Sequence, residues 1–302
     1  MVAFRARLTE DELAALARLK ESEPDICARW NDAFLMRFIW ARKSDVERAI
    51  ELLKNHLAWR EEYDIDGEWN MEHTSAYLRH PSYPWTPGNY TKQGYSVSYV
   101  AARHIDKELL EELGVAGVMK GNYAALDATL DHDIDVARKG GVFVEDFAGA
   151  SFFDLMAIVR GESAWDMKKM SEALQNKLPF RVGGFILVNA PWYLRLLLGI
   201  VKPMLKPKLR KKIHVCSSIE DLQHYFTPEQ LPTIYGGQFE ISVDWVDEVF
   251  TKRSGLSEGK YLDPSPRSDA LVAQITGEQP VLSVSELAAE AKSKKKKDKS
   301  HK

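Results

Sequence analysis

Apolar positions follow a helical rhythm through the first seventy residues and a strand–helix alternation from about residue 95 onward. Thr9 and Glu12 form a capping-box pattern that opens DELAALARLK, and Ser44 with Glu47 opens a second helix in the same way. In that second helix Val46, Ile50, Leu53 and Leu57 recur at spacings of four, three and four, which makes one apolar stripe. The preceding segment, NDAFLMRFIWARK, sets Leu35, Phe38 and Ile39 on one side and leaves Arg37 and Lys43 outside. The pattern predicts a small helical module over residues 1–72.

Farther on, YSVSYVAAR reads as a strand and Lys107 to Lys139 as a long helical stretch stopped by Gly140-Gly141. VFVEDF is a second strand, Ser151 to Lys177 a second helical region, and GGFILVN a fully apolar strand. A run apolar on both faces predicts a sheet covered on both sides, and long connections predict that it is largely parallel. After Asn189-Ala190-Pro191 come an apolar helix, a basic stretch, the short strand IHVCS and a helix capped at Ser218. Thr227-Pro228-Glu229-Gln230 reads as a further helix start with proline at the first position. The expected domain spans residues 73–250, and the class is α/β.

Residues 251–302 are richer in Ser, Gly, Pro and Lys, and read as a flexible tail. The final twelve residues hold seven lysines and one aspartate, so the formal charge of −3 divides into +6 there and −9 elsewhere. A net-acidic body argues against nucleic acid as a partner. The lysine-rich end suits anionic lipid, a nuclear address or plain solvation, and the tail is where a protein-partner motif would lie. The start, MVAFRARLTEDEL, lacks the apolar core of a secretory signal. The longest apolar stretch, Trp192 to Leu205, is interrupted by Arg195 and Lys202 and falls short of the roughly twenty residues that span a bilayer. Two cysteines, Cys27 and Cys216, give no disulfide framework. A protein of a reducing, cytoplasmic compartment is the expectation.

No nucleophile elbow, dinucleotide fingerprint or P-loop is present, which weighs against an enzyme. Asp131, Asp133 and Asp135 mimic the start of a calcium loop, but Val136 and Val142 stand where glycine and glutamate are needed. No metal or cofactor is therefore expected, and His214 reads as structural.

Four segments in order carry a resemblance. FLMRFIWARKSDVERAIELLKNHLAWREEY, GGVFVEDFAG, LPFRVGGFILVNAPWYLRLLLGIVKPMLKPKLRKKIHVCSS and LPTIYGG together resemble the CRAL-TRIO lipid-binding family over residues 30–240. They match its helical module, central strand, gate region and closing turn. Ile234 departs from the family's usual acidic residue. The resemblance implies a carrier that holds one hydrophobic lipid over a sheet floor, beneath a mobile gate helix, and exchanges it at membranes. A lipid-gated sensor that recruits a protein partner without net transfer uses the same pocket and stays open.

Within that frame, Tyr193, Leu197 and Ile200, with Met204, form the expected membrane-inserting face, and Leu194, Leu198 and Val201 its neighbour. An ordinary buried core helix is the competing reading. Lys202, Lys206, Lys208, Arg210, Lys211 and Lys212 follow as a basic cluster, which suits anionic headgroups or a solvated face. The resemblance implies phosphoinositide contacts for Arg181, Lys208 and Lys212, with Glu51 replacing a fourth cation. Phe180 stands where the family's phosphatidylinositol-binding branch has a glutamate, which counts against a buried inositol headgroup. Family positions and strand alternation place Met170, Leu174, Val182, Phe185 and Leu187 in the pocket. Tyr123, Asp127 and Glu145 join them as polar lining, although a one-residue slip would turn Glu145 to the other face.

Overall fold

The computed structural model describes residues 2–80, 85–102, 105–132, 134–164 and 166–247. The lysine-rich tail, the cation run at its end, Asp133 and the span 81–84 lie outside the described residues, and the domain boundaries expected above remain a proposal.

Six helices come first: α1 (Val2–Ala6), α2 (Glu10–Ser22), α3 (Pro24–Cys27), α4 (Asp32–Ala41), α5 (Val46–Glu62) and α6 (Met71–Arg79). The capping box of Thr9 and Glu12 opens α2 as its sequence predicts. The cap of α5 is Asp45 rather than Ser44, because Lys43 and Ser44 both take left-handed backbone angles (φ 57° and 65°) in the tight turn from α4. That turn leaves Lys43 exposed.

The sheet contains β1 (Trp85–Tyr90), β2 (Ser96–Ala101), β3 (Gly141–Asp146), β4 (Val182–Val188) and β5 (Ile213–Val215), hydrogen-bonded in sequence order. All pairs are parallel except β1 with β2. Helices α7 (Lys107–His132) and α8 (Ile134–Lys139) connect β2 to β3, and α9 (Phe152–Arg160) and α10 (Met167–Glu172) lead toward β4. Helices α11 (Leu194–Met204) and α12 (Pro207–Arg210) precede β5. Gly114 breaks α7 with a φ of 60°. Gly140 stops α8 at φ 90°, where a Cβ would lie 1.8 Å from the Arg181 carbonyl oxygen, so only glycine lets β3 begin beside β4.

Strand alternation divides the core. Val97, Tyr99, Val142, Val144, Ile186 and Val188 pack on one face against Leu222, Phe226, Leu231 and Tyr235. The opposite face, with Phe143 and Val182, joins the helical module and α7 in one continuous cluster. The segment expected to be a helix at Thr227–Gln230 is a hydrogen-bonded turn, closed by Gln230 and Leu231 N–H groups on the Thr227 carbonyl.

The seam between the helical module and α7 is ionic as well as apolar. Arg37 is buried, not solvent-facing, and its Nη1 lies 2.7 Å from Asp127 Oδ1. Arg60 donates to Tyr123 Oη at 2.7 Å and to the Asp66 carboxylate, with its guanidinium over the Trp30 and Tyr123 rings. Removing one partner of a buried pair strands the other charge and costs roughly 3–5 kcal/mol, whereas an apolar pair of similar volume is near neutral. Arg37→Met is therefore expected to lower unfolding free energy by that amount in urea titration, and Arg37→Met with Asp127→Leu to recover most of it. Equal destabilisation by the single and double variants would contradict the pairing.

Candidate lipid site

The face of the sheet opposite Tyr99 and Val144 is built from every second residue: Ser98 and Val100 on β2, Phe143 and Glu145 on β3, Phe185 and Leu187 on β4. Above it lies α11, entered through the turn Asn189–Pro191. Asn189 takes a left-handed backbone angle (φ 53°) and its amide donates to Asp146 Oδ1 at 2.8 Å, which pins the ends of β3 and β4 where the helix begins. The Leu194 N–H bonds the Pro191 carbonyl, and this fixes the helix's rotational phase.

Between sheet and α11 is a cavity of about 190 Å³ with almost wholly apolar walls. Its walls include Met170, Leu174, Phe185 and Leu187, together with Leu194, Leu197, Leu198, Val201 and Leu205 from the gate segment. Glu145 also faces it, so the strand register holds and the one-residue slip does not occur.

Three other expected wall residues sit elsewhere. Tyr123 and Asp127 are drawn into the seam by Arg60 and Arg37, because a buried carboxylate or phenol needs a polar partner and the arginines supply it. Val182 begins β4 below the cavity and packs in the continuous core. Ser98 was not anticipated. Its Oγ is buried in the cavity wall without a hydrogen-bond partner among the described residues, and the β2–β3 register reveals which face it takes.

Of the expected outward face of the gate helix, Ile200 and Met204 are exposed and Tyr193 and Leu197 are not. Leu197 is 4% exposed and faces the cavity, and the Tyr193 hydroxyl is held by the Ala150 carbonyl. The outward apolar residues are Trp192 (86% exposed), Leu196 (58%), Ile200 and Met204, joined from α9 by Phe153 (80%). Trp192, Tyr193, Phe152 and Phe153 form a chain of edge-to-face rings at the gate's entry. Arg195 and Lys202, both exposed, lie beside the outward face and were the available signal for it.

Glu145 has no hydrogen-bond or ion-pair partner among the described residues. Burial alone pushes its carboxyl up to about 7. The side chain is surrounded by cavity rather than bulk water, so a neutral form that can donate one hydrogen bond persists up to about pH 7.

Cations gather beside the gate. Lys212 is drawn below the usual lysine range by burial and then by Lys208, Arg181 and Lys43. The left-handed turn before α5 thus adds Lys43 to the three expected headgroup residues. Lys212 Nζ bonds the Val182 carbonyl and Arg181 Nη1 bonds the Arg138 carbonyl at 2.7 Å, while Lys208 is exposed. Glu51 lies nearer a second set, Arg42, Arg48 and Lys206, whose fields it partly offsets. No group of acidic, histidine and cysteine side chains that would hold a metal occurs among the described residues, nor does any helix long and apolar enough to cross a membrane.

A parallel-sheet floor, an apolar cavity and a helix closing it define an α/β domain with an enclosed apolar site. The CRAL/TRIO domain profile matches residues 82–237, and the chain belongs to that family. It is similar to rat Clavesin-2, with 26% identity over 221 residues, covering 72% of this chain and 65% of that protein. Rat Clavesin-1 is 27% identical over 221 residues, 72% of this chain and 60% of that one. The match thus spans a little less than two thirds of those relatives' length. The crystal structure of Sfh5 shares the fold with a TM-score of 0.54 at 14% identity, covering 81% of this chain and 97% of that one.

The neutral Glu145 makes a pH signature. A carboxyl raised from 4.5 to about 7 favours the folded state fully below 4.5, and that contribution is lost as pH rises through 7. In ligand-free protein, the stability difference between wild type and Glu145→Gln should shift by up to about 3 kcal/mol across this window. A pH-independent difference in urea titrations would show that Glu145 is not desolvated.

Proposed function

We propose that this protein binds one hydrophobic lipid between the sheet and α11 and exchanges it at anionic membranes. The observation that carries the reading is the gate helix, which separates an apolar cavity from a second apolar surface facing solvent. A helix of that kind is stable only if something apolar meets each side for part of its cycle. Lipid meets the inner side, and the bilayer meets Trp192, Leu196, Ile200, Met204 and Phe153.

Glu145 and Ser98 narrow the cargo. A carboxyl that holds its proton up to about pH 7, and a hydroxyl without a partner among the described residues, match a lipid with one uncharged polar group, such as a hydroxyl or carbonyl. An anionic end deep in the cavity would meet no cation there. The absence of a glutamate at Phe180 agrees with an inositol headgroup staying outside. Arg181, Lys208 and Lys212, with Lys43, supply the outer electrostatic contact, each worth about 1 kcal/mol near an anionic surface.

Vesicle transfer tests this reading. The wild type should accelerate movement of its co-purified lipid from donor to acceptor vesicles; binding without acceleration would favour the sensor alternative. Replacing Trp192, Leu196 and Ile200 by aspartate should reduce vesicle binding at least about tenfold, given roughly 1.5–3 kcal/mol for each fully buried apolar side chain. The bound lipid and the melting curve should be retained, whereas Leu197→Asp should lose both. Loss of the cooperative melt in the outer triple variant would mean that this face is core.

The cation cluster has its own test. Reversing Arg181, Lys208 and Lys212 to glutamate should remove the preference for phosphoinositide-containing over neutral vesicles, and added salt should weaken the wild type in parallel. Unchanged preference would assign recognition to other residues.

A further inference from the structure

One turn joins the gate, the cation surface and the helical module. Residues Ala173–Lys177 form a π-helical turn between α10 and β4. Single π-turns inside helical segments are energetically poor and cluster at functional positions. Here the turn offers its side chains to the far end of the gate. Gln175 accepts the Lys206 backbone N–H at 2.7 Å and donates to the Met204 carbonyl at 3.4 Å, so one amide spans the last residue of α11 and the link to α12. Asn176 Oδ1 accepts the Lys206 ammonium at 2.6 Å.

The turn itself is held by the helical module. Arg42 donates to the Gln175 carbonyl at 3.2 Å, and His56 Nδ1 lies 2.9 Å from the Lys177 carbonyl. His56 is completely buried among Phe34, Phe38, Trp59 and Tyr123, which makes this an immobile anchor. Pro203, within α11, cannot donate a backbone hydrogen bond, so the gate's last turn leans on Gln175 and on Arg210, which donates to the Leu205 and Pro203 carbonyls.

Lys206 is exposed and faces other cations. Burial and then the Arg42 and Arg48 guanidinium groups lower its proton affinity, with Glu51 opposing. An ammonium held among like charges by one neutral amide oxygen is readily taken by a phosphate oxygen, because the phosphate brings a full opposite charge where Asn176 offers only a dipole.

We propose that Gln175 and Asn176 are positioning residues that latch the C-terminal end of the gate, and that a phosphate-bearing headgroup opens the latch by taking Lys206 from Asn176. The proposal rests on the lipid-carrier reading and specifies how its gate is regulated. Arg42 and Arg48 complete the phosphate's surroundings. Because Arg42 also holds the turn, the same anion acts on both sides of the latch.

Hydrogen–deuterium exchange of the segment 194–206 reads the latch directly. The full-length protein is compared alone, with soluble inositol trisphosphate, with phosphatidylcholine vesicles, and with such vesicles containing phosphatidylinositol bisphosphate. The wild type should exchange faster with either phosphate source than with neutral vesicles. Asn176→Ala should raise exchange roughly fivefold without any phosphate, the factor one side-chain hydrogen bond carries, and should respond little to its addition. Asn176→Asp, which gives Lys206 a charged partner, should slow exchange and blunt the response.

A loosened structure alone would move both variants in the same direction, and that result overturns the proposal, as does a wild-type gate insensitive to both phosphate sources. Acceleration by bisphosphate vesicles alone assigns the site to a lipid-borne headgroup, and acceleration by the soluble headgroup assigns it to phosphate itself; either supports the latch. Mass spectrometry of lipid retained in the same samples separates the two levels. If the wild type retains no lipid, the carrier reading falls together with the latch; if lipid is carried and exchanged while both variants match wild type, only the latch falls.

Discussion

A helix that closes an apolar cavity against water must turn an apolar face inward, whatever it shows outside. An ordinary surface helix buries one stripe and solvates the rest, but α11 needs an apolar inner face for the cavity and has a second apolar face outside. The rest of the site follows from that constraint. The sheet beneath must present an apolar surface, which a parallel sheet does because both its faces are covered. Exposed apolar surface costs solubility, so charged residues border it: Arg195 and Lys202 on the helix, and the cations of α12 and the α4–α5 turn beyond it.

The helical module contributes by fixing what does not move. Buried charges at Arg37, Asp127 and Arg60 tie it to α7, while His56 and Arg42 reach across to the π-turn beside the gate's end. A mobile element needs rigid neighbours if its motion is to expose one cavity rather than unravel the fold. The buried ionic seam gives register to the packing of module on domain, and the aromatic cluster around His56 supplies the bulk.

Much of this architecture was legible in the sequence, and the failures share physical causes. The parallel strands, the Gly140 stop and the Thr9 cap could be read because they depend on local pattern and backbone chemistry. Strand alternation set Glu145 on the cavity face, since a period of two leaves little room for error once Phe143 and Leu187 are inside. The gate's outward face was misjudged at Tyr193 and Leu197, because the helix carries apolar residues beyond the stripe it buries and the Tyr193 hydroxyl is drawn to the Ala150 carbonyl. Arg37, read as solvent-facing, and Asp127, read as pocket lining, were misplaced for a single reason: their pairing spans ninety residues of chain, and neither shows its partner locally. The first strand, WTPGNY, carries proline and glycine that argue against a strand, but it lies at the sheet edge where a missing N–H is tolerated. The π-turn leaves no trace in hydrophobic period, and Gln175 and Asn176 look like ordinary surface amides until Lys206 is placed beside them.

Native mass spectrometry of the purified full-length protein, followed by extraction and identification of what it holds, addresses the central claim most directly. The account predicts a one-to-one complex with a single class of lipid bearing an uncharged polar group. It also predicts that Leu197→Asp abolishes this complex and that the outward Trp192, Leu196 and Ile200 variant retains it. A lipid-free protein that stays lipid-free after incubation with mixed-lipid vesicles would contradict the account.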